Sequence, residues 1–443
     1  MAEALLDRVR TVPRFVTCGR VKRIVGLVIE ATGLDAAVGD ICRVRTLNGE
    51  SEVEGEVVGF NGDRVLIMPY SGLEGLQPGS AVEVMGHAAT VGVGRELVGR
   101  VIDAHGEPID GLGPIRTGRR RSLAGAPFNP LRRRSIREPL PTGVRAIDGP
   151  LTIGRGQRVG IFSGSGVGKS TLLGMIARGT AADINVISLV GERGREVPDF
   201  LEDALGQEGL ARSVVVVATG DVSALQRARC AQVATAIAED FREQGLDVLL
   251  MVDSITRVAT AWREIGLAVG EPPTTKGYPP SVFALLPRLL ERAGTDDSGT
   301  ITGVYTVLVE GDDFNEPVAD AVRSILDGHI VLTRDLATAG HFPAVDVLES
   351  VSRLRDRVLP VPSQRVMREI QRLMACYRDK EDLIAVGAYQ EGTDAQVDLA
   401  ICMRPTISDF LRQDPDDLSD WNETLASIAE VSRSIEATKR SLE

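Results

Sequence analysis

With 443 residues and 43% apolar side chains, the chain has the length for about three domains and enough apolar surface for a substantial core, which excludes a disordered or fibrous protein. Fifty Lys and Arg against 62 Asp and Glu leave a net charge of -12, which argues against nucleic acid or an anionic membrane as the main partner. Five scattered cysteines (Cys18, Cys42, Cys230, Cys376, Cys402) contain no C-x-x-C pair, so neither a disulfide framework nor a structural zinc site is expected, and a reducing cytoplasm is the simplest compartment. No apolar run approaches the ~18 residues of a membrane span, so neither a signal peptide nor a transmembrane segment is expected.

Residues 1–18 carry Leu5, Leu6 and Val9 among charged neighbours, a short amphipathic segment too brief to be stable without a partner surface. Over 19–94 the texture changes to short alternating runs such as SEVEGEVVGF and DRVLIMPY, punctuated by Asn48-Gly49 and Asn61-Gly62, which predicts a small β-barrel. Residues 95–145 are rich in Gly, Pro and Arg and read as a surface connector. Its clusters Arg119–Arg121 and Arg132–Arg134 are read as solvated or ion-paired rather than as a nucleic-acid face. From Arg158 onward, near-continuous apolar runs (RVGIF, INVISLV, SVVVVA, DVLLMVD, GVYTVLV) alternate with stretches of helical spacing, which predicts a parallel sheet covered on both faces. The last hundred residues lack such runs and predict a helical domain. The expected organisation is an α/β protein with a barrel over 19–94, a nucleotide-binding core with its connector over 95–345, and helices over 346–443.

The strand at Arg158–Phe162 runs into Ser163, Gly164, Ser165, Gly166, Val167, Gly168, Lys169 and Ser170, and Thr171 then opens a helix. This is the context of a phosphate-binding P-loop: glycines let the backbone bend so that N–H groups and a helix N-terminus face an anion. Lys169 would reach the β and γ phosphates and Ser170 would ligate Mg²⁺. Ser163 stands where the simple pattern asks for Gly, a change expected to be tolerated if its side chain points away from the phosphates. Asp253 ends the apolar run Asp247–Val252 and is the candidate metal partner, the competing reading being a cap for the next turn. Glu192 follows the run Ile184–Val190 at the strand end where α/β crevices lie; it is placed to orient the attacking water, with Arg193 neutralising developing charge. Its competing reading is a solvent-exposed loop acid.

Together, SGSGVGKS, VGERGREV, LLMVDSITR, EPPTTKGYPPSVFALLPRLLERAG, VEGDDFNEPVADAVRSILDGHIVLTR and FPAVDVLESVSR resemble the bacterial type III protein export ATPases, the flagellar branch most of all. The resemblance spans nearly the whole chain. The wider group includes the subunits of rotary ATPases, and it implies an N-terminal β-barrel, a RecA-like P-loop core and a C-terminal helical domain. It implies ATP and Mg²⁺ at Lys169, Ser170 and Asp253, Glu192 as the catalytic carboxylate, and Arg193 near the γ-phosphate. Through the resemblance alone, Phe342 falls at the aromatic position stacked on adenine, and Arg353 at the arginine finger acting on a neighbouring subunit. Their plain alternatives are core packing for Phe342 and, for Arg353, one charge in the run Arg353, Arg355, Arg357.

The resemblance further implies a homohexamer, a dimeric regulatory protein at the N-terminus, a central coiled-coil stalk, export gate membrane proteins and chaperone–cargo complexes, with a cytoplasmic location at the inner-membrane export apparatus. An injectisome ATPase is the near alternative, since the two systems share these motifs. A non-catalytic ring subunit would replace the catalytic acid, often by Gln, and Glu192 argues against that. A proton-driven rotary subunit would carry a dense acidic loop where this chain reads GAYQEGTDAQVDLA.

Overall fold

The computed structural model describes residues 18–49, 51–86, 89–125, 129–309, 314 and 316–442, so the amphipathic start at Leu5, Leu6 and Val9 lies outside the described residues. Strands β1 (Cys18–Val25), β2 (Val28–Thr32), β3 (Ile41–Arg45), β4 (Glu52–Asn61), β5 (Arg64–Pro69) and β6 (Ala81–Gly86) close into a barrel in the order β1-β2-β5-β4-β3-β6. The alternation seen in the sequence explains it: in β4, Val53 and Val57 point inward and Glu52 and Glu54 outward. The inward side chains, among them Ile29, Val44, Val57 and Ile67, form the barrel's own core. Asn61-Gly62 makes the expected tight connection from β4 to β5, with Gly62 at a φ of 63° that favours glycine. Val28, Leu66, Met68 and Tyr70 of the barrel pack against Leu225 of the neighbouring core.

The connector is more built into the fold than its composition suggests. Within it, β7 (Thr90–Val93) pairs with β9 (Arg119–Ser122), and β8 (Val101–Asp103) joins the edge of the central sheet. Most arginines of its two clusters are ion-paired, among them Arg119 with Asp240, Arg121 with Glu239 and Glu243, and Arg132 with Asp297, while Arg120 bonds Thr90 and Arg134 the Asp296 carbonyl.

The remaining strands are β10 (Arg158–Ser163), β11 (Ile184–Val190), β12 (Ser213–Ala218), β13 (Asp247–Asp253), β14 (Gly294–Thr295), β15 (Thr300–Leu308), β16 (Gly328–Leu332) and β17 (Val345–Ser352). The central sheet has the order β17-β16-β10-β15-β13-β11-β12-β8, with β14 paired to β15 outside that path. From β16 to β8 these neighbours run parallel, and β11 and β12 are buried at every position, so an apolar run without alternation is what both covered faces demand. Helix α1 (Lys169–Gly179) follows the P-loop, α2 (Ala224–Glu243) packs on the sheet behind a Ser223/Gln226 capping box, and α3 (Ile255–Ala268) follows β13.

One expectation needs correction. The last hundred residues do contain a strand of the sheet: β17 pairs antiparallel with β16 and runs through the expected domain boundary at 346. VDVLESVS lies at the sheet edge with its distal half partly exposed, so it lacks the apolar signature of the buried strands. Beyond it, α4 (Val361–Ala385), α5 (Ala395–Leu411) and α6 (Trp421–Leu442) pack on one another as the helical domain. Arg145 joins this domain to the core by donating to the carbonyls of Phe410 and Arg412, while Gln413 accepts from Arg145 N and donates to Gly143 O.

Candidate active site at the ends of the parallel strands

The P-loop leaves the C-terminal end of β10, which lies two strands from β13 and three from β11 in the sheet. Parallel register therefore brings Gly164–Ser170, Asp253 and Glu192 to one edge. Gly166 and Gly168 take φ of 78° and 90°, conformations that residues with a Cβ rarely hold, and Gly168 caps α1. Val167 is buried beneath the loop, whereas Ser165, Gly166, Ser170 and Thr171 face outward. The α1 N-terminus and the open loop backbone provide donors and positive potential for an anion. Ser163 is fully buried, and among the described residues its hydroxyl has no hydrogen-bond partner.

Lys169, Glu192 and Asp253 converge. The Lys169 ammonium pairs with Asp253 Oδ1 and lies 3.6 Å from Glu192 Oε1. Asp253 is 3% exposed and accepts a 2.6 Å hydrogen bond from Thr306 Oγ1 on β15, so it is a buried, oriented acid rather than a cap for the next turn. Glu192 is likewise no solvent-exposed loop acid: its side chain is 14% exposed, and among the described residues Oε1 has no hydrogen-bond donor. Burial pushes its carboxyl up to about 7, against the opposing pull of Lys169 and with further help from the Asp253 charge. Gly191, at φ 68°, lets Glu192 turn inward past Arg257, whose side chain would collide with any Cβ there at 2.6 Å.

Not every expected residue joins this cluster. Arg193 is 72% exposed and pairs with Glu196 at 3.3 Å. Phe342 is 46% exposed, which rules out core packing, and its ring would lie 3.6 Å from a Cβ on Gly168, beside the P-loop. Arg353 sits at the opposite edge of the sheet, where Ser352 pairs with Gly328 near the start of β10. About 17 Å of strand, longer than an arginine side chain, separates it from its own P-loop.

Three neighbours were missed from the sequence: Thr306 on Asp253, Arg257 beside Glu192, and Arg334, which donates to Ser165 O at 3.2 Å. Thr306 is the polar residue inside GVYTVLV, a departure from an otherwise apolar run that could have marked it.

Among the described residues no three His, Cys, Asp or Glu side chains gather into a cation cage. A hydroxyl at Ser170 and a carboxylate at Asp253 beside a phosphate cradle instead suit a hard divalent ion that keeps few protein ligands, as Mg²⁺ does. Oε1 of Glu192, 3.6 Å from the Lys169 ammonium but without a hydrogen-bond donor among the described residues, is the acceptor left over for a water.

A P-loop at the end of a parallel strand, with a buried acid ending a second strand and a largely buried acid just past the end of a third, defines a nucleoside triphosphatase core. Residues 143–352 match the nucleotide-binding domain of the ATP synthase alpha/beta family, 21–86 that family's beta-barrel domain, and 362–430 the T3SS EscN ATPase C-terminal domain. The chain is 51% identical to the flagellum-specific ATP synthase of Bacillus subtilis, over 97% of this chain and 98% of that one. It is 50% identical to the type 3 secretion system ATPase of Xanthomonas euvesicatoria, over 93% of each. Its structure resembles that of the assembled ATPase EscN from the enteropathogenic E. coli type III secretion system, with TM-score 0.89 and 46% identity over 93% of this chain and 99% of that one. EscN in complex with its central stalk EscO matches with TM-score 0.86 and 45% identity, over 93% of this chain and 99% of that one. The chain belongs to the type III export ATPases, the branch of the ATP synthase alpha/beta family that comprises flagellum-specific and type 3 secretion enzymes.

Proposed function

We propose that this chain hydrolyses Mg²⁺-ATP at the interfaces of a homohexameric ring and that its hydrolysis drives flagellum-specific type III protein export. The observation that carries the shared-site reading is the separation of P-loop and Arg353 to opposite sheet edges: a finger and a cradle so placed complete a site only between two copies. Lys169 and the loop N–H groups bind the β and γ phosphates, and Phe342 stacks on the base. Ser170 and Asp253 hold Mg²⁺, which when bound neutralises phosphate charge. Glu192 accepts a hydrogen bond from the attacking water and orients it in line. Phosphoryl transfer asks for positioning and charge neutralisation more than for covalent help, and the neighbour's Arg353 supplies the last positive charge as the bond to the leaving diphosphate breaks. Arg193, exposed and on the loop beside Glu192, would be recruited at the same interface.

Relatives of about 50% identity in both flagellar and secretion systems support export as the task. The flagellar assignment rests on the motif resemblance. The partners implied by the family are a central coiled-coil stalk, in line with the EscO complex of EscN, a dimeric regulator at the N-terminus, export gate proteins and chaperone-bound cargo. Among the described residues no helix is long and apolar enough to cross a membrane, which is consistent with peripheral association at the inner-membrane apparatus. The test is the Mg²⁺-dependent ATPase rate over a titration of protein concentration, with oligomer size monitored. Activity per chain is expected to rise as rings form; constant activity per chain across the assembly range would contradict a shared site.

A further inference from the structure

The end of β17 is held with unusual thoroughness for an exposed edge. Between Asp346 and Val351 the register with β16 shifts, and Ser350 fills the gap by accepting from Val331 N at 2.9 Å while donating to Asp346 O. Ser352 Oγ donates to Thr152 O at 2.9 Å. Gly328 faces Ser352 so closely that a Cβ would lie 2.6 Å from Val351 O. The two serines of Ser350-Val351-Ser352-Arg353 thus have backbone-fixing work.

Among the described residues Arg353 itself is fastened only through its main chain: its N–H donates to Asp327 O at 3.1 Å. The same carbonyl accepts from Gln157 Nε2 at 3.3 Å, and that amide lies 3.4 Å from Ser352 Oγ. Gln157 is fully buried, with Oε1 taken by Gly154 N at 2.8 Å. Asp327 is pinned in turn by Arg158: its carboxylate accepts from Arg158 N and Nε, both at 3.1 Å, and its N–H donates to Arg158 O at 2.9 Å. Arg158 also pairs with Glu291. The guanidinium of Arg353, by contrast, is exposed and makes no hydrogen bond or ion pair among the described residues. A rigid backbone under an unengaged guanidinium is the arrangement expected of a preorganised donor.

Resting on the reading of Arg353 as a finger, we propose that Gln157, Arg158 and Asp327 form a bracket that positions Arg353 for the neighbouring subunit's nucleotide and ties it, through β10, to the subunit's own P-loop. Arg158 is the first residue of β10 and Ser163 the last before the loop, so one strand carries a nucleotide cradle at one end and the finger's mount at the other. A shift of the cradle on phosphate binding moves the mount of the finger that serves the next site. Asp327 and Arg158 are positioning residues, since neither reaches a reacting atom.

The test is a double-mutant cycle on the assembled protein with kcat and KM measured separately. Asp327→Asn keeps the backbone carbonyl but weakens the grip of Arg158, and is expected to lower kcat about tenfold with KM within about twofold. In the Arg353→Ala background the same substitution is expected to add less than about a twofold loss, because the group it positions is gone. Ser352→Ala, a milder release of the same mount, is expected to show a smaller kcat loss that also vanishes in that background, and it carries the test if Asp327→Asn does not assemble. A full, multiplicative loss in both backgrounds, or a wild-type kcat for Asp327→Asn and Ser352→Ala, overturns the bracket. A wild-type kcat for Arg353→Ala overturns instead the finger reading beneath it.

Discussion

Turnover is expected to depend on the protonation of Glu192, because burial pushes its carboxyl up to about 7 and Oε1 has no hydrogen-bond donor among the described residues. Below that pH the neutral carboxyl is a poor acceptor for the attacking water; above it the carboxylate is available. kcat/KM, which reports the free enzyme, is therefore expected to rise with pH through a midpoint near 7. Glu192→Gln is expected to retain ATP binding, lose about 10²–10³-fold in kcat, and show no such rise. An unchanged midpoint in that variant would assign the titration to another group. Ser163 supplies a second case: its buried hydroxyl has no partner among the described residues, and such a group costs more than the methyl group that could replace it. Ser163→Ala is expected to stabilise the fold by about 1 kcal/mol with activity within about twofold, read by denaturant unfolding and turnover. A loss of stability would mean that the hydroxyl has a partner of its own.

At the scale of elements, α1 is set by close approach as much as by its loop. A Cβ on Gly174 would meet Ala204 O at 2.4 Å, so Gly174→Ala must push α1 away from its neighbour. A cost of about 1–3 kcal/mol is expected, lowering the thermal midpoint by several degrees. An unchanged midpoint would show that the contact yields freely. The same scale separates what was legible in the sequence from what was not. β10 to β13 and β15 could be read because burial on both faces leaves no room for polar alternation, and the acids at their ends were therefore placed at one edge. β17 could not, because an edge strand with a half-exposed pattern resembles a loop or helix start. Thr306 was hidden for another reason: a lone hydroxyl in an apolar run does not reveal which strand lies opposite, and only the β13–β15 register sets it against Asp253. Among three nearby arginines, spacing could not distinguish Arg353 from Arg355. In the structure Arg355 is engaged by Gln371 and the Pro150 carbonyl, whereas the Arg353 and Arg357 guanidinium groups make no hydrogen bond or ion pair among the described residues.

On the scale of the whole molecule, the barrel, core and helical domain are joined by specific contacts, Leu225 with the barrel on one side and Arg145 with Gln413 on the other. Gln413 N also donates to Phe342 O at 2.9 Å, so the helical domain is tied directly to the residue beside the P-loop. Gln413→Ala is expected to raise KM for ATP several-fold with a smaller change in kcat; the reverse pattern would show that this tie governs turnover rather than nucleotide binding. The larger claim is that the catalytic unit is the junction of two chains, with Glu192 given by one and Arg353 by the next. The most direct measurement is to mix Glu192→Gln with Arg353→Ala in equal amounts and follow Mg²⁺-dependent ATP hydrolysis under ring-forming conditions. Each variant alone should be nearly inactive. In mixed rings, sites with intact Glu192 that face an intact Arg353 reappear, to a level of up to about a quarter of wild type for random assembly. Activity that stays at the mean of the two separate variants, with mixed rings present, would contradict the shared site.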